Sequence, residues 1–210
     1  MSRLTRGLVQ VYTGDAKGKT TAAWGQALRA AGRGLRVCFV MFLKGDTDLG
    51  ETRAAARLAP EVTVRQFGAS RQELARRQSD VGAASRGDPN RPQDRAPTGS
   101  RALASWWQAG YADDDRRMAR EGLAFARAAM ASGEYDLVVL DEANVALSGG
   151  LLEVGEVLAA LRERPAHVEV ILTGRNAPEQ IIAAADLVTE MRSLKHPFDM
   201  GLPARRGIEY

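Results

Sequence analysis

The chain has 210 residues, 45% of them hydrophobic and 26% charged, which is enough apolar material for a core of ordinary size and rules out a disordered or fibrous protein. Twenty-nine basic residues against 26 acidic ones leave a net charge of +3, too near balance to require a nucleic-acid partner. No run approaches the roughly 20 apolar residues of a bilayer span and no apolar signal core follows Met-Ser-Arg-Leu-Thr-Arg, so a cytoplasmic protein is expected; Cys38 with only His167 and His196 excludes a disulfide or Cys/His zinc site, so any metal must be oxygen-ligated.

Gly7 to Tyr12 is a short β-branched run, followed by Thr-Gly-Asp-Ala-Lys-Gly-Lys-Thr-Thr and a stretch of helical composition, Ala22 to Ala31, that stops at Gly32. Arg36 to Leu43 is apolar almost throughout, as a parallel strand buried on both faces must be. A helix is predicted over Glu51 to Leu58 and a third strand over Val62 to Phe67. From Gly68 to about residue 105 the chain turns rich in Arg, Ser, Gly, Asp and Pro and loses its apolar period, which reads as a mobile insertion. Trp106, Trp107 and Tyr111 restore apolar character ahead of a helix over Ala112 to Ala131. Leu137 to Leu140 is a strand ending in Asp141-Glu142, Leu151 to Arg162 a helix, Val168 to Leu172 a strand ending in Thr173-Gly174-Arg175, Pro178 to Ala185 a helix, and Leu187 to Met191 a last strand. This alternation predicts an α/β fold, a mostly parallel sheet of about six strands with helices on both faces, as one domain spanning 1–210.

The basic residues are unevenly chosen, 25 Arg against 4 Lys, so each surviving lysine is a candidate for work that a wider guanidinium cannot do. Lys17 and Lys19 lie in the turn Gly14-Asp15-Ala16-Lys17-Gly18-Lys19-Thr20, which resembles a phosphate-binding loop one residue short, with Thr13 where a glycine is usual. Backbone N–H groups between a strand and a helix N-terminus make an anion site, Lys19 adds full charge, and the Thr20 hydroxyl suits a magnesium ion. Asp141-Glu142 closes a buried strand, where carboxylates stand beside the metal of such sites. Lys44, Arg175 and Lys195 also follow the carboxyl ends of predicted strands, the edge at which open α/β sheets bind ligands. The loop alone leaves open an ATPase or kinase that cleaves the β–γ bond, and the insertion leaves open a non-catalytic nucleotide-binding protein.

With these motifs in place the chain resembles the ATP:corrinoid adenosyltransferases, over Gly7 to Phe67 and from about Asp113 to Tyr210. The resemblance rests on the loop through Thr21 and its Ala-Ala, on Leu-Asp-Glu at Leu140 to Glu142, on Thr-Gly-Arg-Asn-Ala-Pro from Thr173, and on Lys195-His196-Pro197-Phe198-Asp199 with Gly207-Ile208-Glu209-Tyr210. It implies a RecA-like P-loop fold, a homodimer, and transfer of the 5′-deoxyadenosyl group of ATP, with Mg²⁺ or Mn²⁺, to the cobalt(I) of a corrinoid with release of triphosphate. It assigns Gly14, Asp15, Ala16, Lys17, Gly18, Lys19, Thr20, Thr21, Arg29 and Arg175 to ATP, Thr20 and Glu142 to the metal, and Lys19, Glu142 and Arg175 to catalysis. Members carry Gly-Phe-x-Trp after the third strand to cover the corrinoid; here Phe67-Gly68 runs into the insertion instead, and Phe67, Trp106 and Trp107 are the aromatic candidates. An electron-donating reductase is the further partner this chemistry implies, and the insertion a place it could touch.

Overall fold

The structure, a computed structural model, describes residues 4–45, 49–70, 72–77, 113–197, 201–203 and 205–208. Its strands are β1 (Val9–Thr13), β2 (Val37–Phe42), β3 (Val62–Phe67), β4 (Leu137–Asp141), β5 (Glu169–Thr173) and β6 (Leu187–Glu190). They form one sheet in the order β3-β2-β4-β5-β1-β6, every neighbouring pair parallel. The expected α/β architecture is present, and it is consistent with a RecA-like P-loop fold. β2 and β4 are buried at every residue because each has a strand on both sides and a helical layer on both faces. β6, at the edge, is exposed throughout.

The helices are α1 (Lys19–Ala31), α2 (Gly50–Ala55, continued by a 3₁₀ turn over Ala56–Leu58), α3 (Asp113–Ala131), α4 (Ala143–Ser148), α5 (Val154–Glu163) and α6 (Glu179–Ala184). The two-residue period of each strand divides the core between them. Val37, Phe39 and Met41 of β2 point to the layer of α1 and α2, where Ala23, Ala27, Ala30 and Ala55 meet them. Cys38, Val40 and Phe42 point the other way, to Leu123, Ala126 and Met130 of α3, in a cluster that also holds Leu147 of α4, Leu161 of α5 and Ile181 of α6.

Three local differences from the sequence reading matter. α1 starts at Lys19 rather than Ala22, so the last residues of the Gly-rich motif already form a helical turn. α4 was not expected, and it begins directly after Asp141-Glu142. Of the segment read as an insertion, 72–77 is helical, and Arg77 ties it to α3 by donating to both carboxylate oxygens of Asp115 at 3.0 and 2.9 Å, while also donating to Glu73 Oε1 one turn back in its own helix at 2.8 Å. Residues 68–70 are also described, whereas 71 and 78–112, with Trp106, Trp107 and Tyr111, lie outside the described residues. Among the described residues no helix is long and apolar enough to cross a membrane.

Candidate active site

A parallel sheet brings the carboxyl ends of all its strands to one edge, and here that edge gathers the polar residues of five separate segments. The loop after β1 turns through Gly18, whose φ of 124° is disfavoured for any residue with a Cβ, and enters α1 with no side-chain cap and no acidic residue in the first turn. The first N–H groups of the helix therefore have no capping side chain, and the positive end of its dipole faces the loop. Lys19 is 8% exposed, and its Nζ donates to the carbonyls of Gly14 at 2.6 Å and Ala16 at 2.7 Å. Burial lowers its pKa, an effect that Arg175 reinforces and that Glu142, Asp15 and Asp141 oppose.

The loop, one residue shorter than usual, is completed from another strand. Met191, just past β6, donates its backbone N–H to Thr13 O at 2.8 Å and accepts from Ala16 N at 3.0 Å. The Ala16 amide is thereby committed to protein. Of the other loop residues, Asp15 and Lys17 are exposed, and Lys17 Nζ donates to Ile208 O at 2.8 Å, bringing the C-terminal segment to the loop.

Asp141 is the hub of the site and is fully buried. Its Oδ1 accepts from the hydroxyls of Thr20 at 2.8 Å and Thr173 at 2.7 Å, and its Oδ2 pairs with Lys44 Nζ at 2.6 Å. Thr173 also accepts from Glu142 N at 3.0 Å, so one hydroxyl fixes both acidic residues. Burial alone would lower the Lys44 pKa, but Asp141, helped by Glu142, carries it upward. Glu142 sits at φ 60°, ψ 19° ahead of α4. Its carboxyl is pushed up first by burial and then by Asp141, against the pull of Lys44, Lys19 and Arg175. Behind it Asn144, fully buried, donates from Nδ2 to Gly174 O at 3.3 Å and steadies the turn that carries Arg175.

The two acidic residues thus differ in what they bond. Both Asp141 oxygens are taken by protein donors, whereas among the interactions described the Glu142 carboxylate, at the same sheet edge as the Thr20 hydroxyl, has no hydrogen-bond partner. A hydroxyl and a carboxylate suit a hard cation such as Mg²⁺ or Mn²⁺. Among the described residues no group of three or more His, Cys, Asp or Glu could hold a metal by itself, so nucleotide oxygens would have to complete the shell.

Of the residues the resemblance nominated, Lys19, Glu142 and Arg175 lie near enough to feel one another's charge, and Thr20 bonds Asp141 beside Glu142. Thr21 is exposed on the first turn of α1. Arg29 stands apart: it is ten residues past Lys19, about 15 Å along the helix axis, exposed, and bonded to Gln26 Oε1 at 3.0 Å. Phe67 packs in the core, its ring 5.7 Å from that of Phe125. Asn144 and Met191 carried no role in the sequence reading, and Thr173 entered it only through the turn before Arg175. Lys44 had given two signals, its rarity and its place after a strand.

Comparison with known proteins bears on what this edge is for. Residues 5–210 match the sequence profile of a family described as ATP:corrinoid adenosyltransferase BtuR/CobO/CobP. The chain belongs to the ATP:corrinoid adenosyltransferase family. It is 34% identical to the corrinoid adenosyltransferase of Pseudomonas aeruginosa, over all of this chain and 86% of that one. It is 35% identical to corrinoid adenosyltransferase CobA of Salmonella typhimurium and 33% to that of Escherichia coli, in each case over 98% of this chain and 86% of the relative. Family membership therefore covers the loop, the Asp141-Glu142 pair and the Arg175 turn together.

Proposed function

We propose that the protein transfers the 5′-deoxyadenosyl group of ATP to the cobalt(I) of a corrinoid. One observation carries the reading: in a chain of this family, Lys19, Thr20, Glu142 and Arg175 lie at a single sheet edge, next to a helix N-terminus free of side-chain caps. The triphosphate binds along Gly14 to Thr20, with Lys19 turning from its own loop carbonyls to the phosphate oxygens. A divalent cation held by Thr20 and Glu142 would neutralise charge on the polyphosphate. Arg175 reaches the same polyphosphate from the turn after β5.

Reduced cobalt is itself a strong nucleophile, so the protein supplies no base and forms no covalent intermediate. The cobalt–carbon bond forms at C5′ as the C5′–O5′ bond breaks, and its electron pair leaves with triphosphate. The chain holds C5′ in line with cobalt and stabilises the charge on the leaving group. Fixing of Thr20 and Thr173 on the buried Asp141 carboxylate supports a preorganised site of this kind. A homodimer, a reductase that delivers cobalt(I) and a cytoplasmic setting belong to the same reading.

The test is an anaerobic reaction of purified protein with ATP, Mg²⁺ and a chemically reduced corrinoid, following the cobalt–carbon spectrum and the phosphate products. Alkylated corrinoid with one equivalent of triphosphate is the expected result. Release of ADP without alkylation would overturn it in favour of β–γ cleavage.

A further inference from the structure

We infer that Lys44 is a positioning residue that keeps free divalent cations off the Asp141-Glu142 pair, so that metal enters the site only with nucleotide. The inference rests on the reading that this site takes metal–ATP, and it adds a role for a residue outside the binding set proposed above.

Lys44 is built into place. It follows Leu43, whose φ of 59° is unusual for a residue with a large side chain, and it precedes Gly45. A Cβ on Gly45 would lie 2.2 Å from Gly68 O, and one on Gly68 would lie 2.4 Å from Lys44 N. The segments after β2 and β3 therefore touch backbone to backbone, and that clamp sets where the lysine starts. Its ammonium ends 2.6 Å from Asp141 Oδ2, with the Lys44 side chain 25% exposed and that of Asp141 wholly buried.

The consequence is electrostatic. Two adjacent carboxylates at the end of a buried strand would by themselves attract any divalent cation. Here the ammonium closes the Asp141 oxygen that the two threonine hydroxyls leave open. Lys19 and Arg175 add positive charge near Glu142. Three cations facing two carboxylates repel a bare dication and welcome an anion. A metal that arrives bound to a triphosphate is part of a net anion, so the same field that rejects the free ion accepts the complex. The lack of a carboxylate-rich cage among the described residues fits a metal that brings most of its ligands with it.

The test titrates nucleotide-free protein with Mn²⁺ alone, following free Mn²⁺ by electron paramagnetic resonance, for the native protein and for K44M, K44Q and K44R. Loss of the charge should tighten Mn²⁺ binding about tenfold in K44M and K44Q, while K44R stays like the native protein. K44Q decides if K44M does not fold, since its amide can still donate to Asp141. Native-like Mn²⁺ affinity in a cooperatively melting K44M or K44Q would overturn the inference. So would an equal gain in K44R, which would make shape rather than charge responsible. The titration contains neither ATP nor corrinoid, so absence of adenosyl transfer by the native protein would count against the proposed reaction and not against this result.

Discussion

The Thr20 hydroxyl donates to Asp141 Oδ1 at 2.8 Å, joining the first turn of α1 to the end of a strand from which β1 is separated by β5. The bond reaches across the sheet because Thr173, at the end of the intervening strand, donates to the same oxygen. The residue proposed to meet the metal is thus oriented by a buried carboxylate that does not itself need to touch it. D141N replaces one acceptor oxygen by a donor that faces Lys44. The expected loss is about 1–3 kcal/mol in urea denaturation, moderated by the partial exposure of Lys44, with adenosyl transfer falling as well.

K19A and E142A are each expected to abolish adenosyl transfer while leaving the cooperative melt and far-ultraviolet circular dichroism of the native protein. Lys19 bonds only to carbonyls of its own loop, and Glu142 bears no stabilising ion pair among the interactions described, so neither holds the core together. Substantial turnover in both variants would overturn the site as proposed.

T173V keeps the side-chain shape and removes the hydroxyl. The Glu142 amide then loses its acceptor and Asp141 loses a donor, both inside the protein. An unsatisfied buried group costs about 1–3 kcal/mol, and the loss should appear in the denaturation midpoint together with weaker ATP binding by calorimetry.

Glu142 gives a prediction in pH. Its carboxyl is raised on folding, chiefly by burial and next by Asp141. A carboxylate raised in this way stabilises the fold least when ionised: the penalty is absent below its ordinary value of 4.5 and complete above its folded value. E142Q removes that penalty. It should melt higher than the native protein near neutral pH, and the difference should shrink as pH falls toward 4.5, while adenosyl transfer is lost at every pH. An advantage that stays constant across this range would refute burial as the cause.

The sheet was legible because it is parallel and covered. Runs such as Arg36 to Leu43 can be so uniformly apolar only between two helical layers, and the observed strand β2 has no exposed residue. The Gly-rich turn after β1, the Asp141-Glu142 pair and Arg175 were legible through residue type and position after strands. α4 was not, since six residues show no period and it begins after a left-handed glutamate with no side-chain cap. The partnership of Met191 with the short loop is made by backbone atoms, which leave no mark on residue type. Lys44 was visible as a lysine spared among arginines and placed after a strand, but its partner could be found only by folding the chain. Arg29 was nominated by the resemblance alone; in the structure it bonds Gln26 on α1, and its charge reaches Tyr12 at the end of β1.

Beside Trp24, which stacks on Phe39 of β2, the residues that α1 buries along its length past Lys19 are all alanines. Ala23 and Ala27 are wholly buried and Ala30 nearly so, each a single methyl between helix and sheet. Ala27 lies seven residues past Thr20, about 10 Å down the axis. A bulkier side chain there would lift the helix from the sheet like one end of a plank and carry Lys19 and Thr20 with it. If Lys19 and Thr20 hold the polyphosphate as proposed, that grip depends on methyl groups on the hidden side of the helix, where smallness sets how close the helix lies to the sheet.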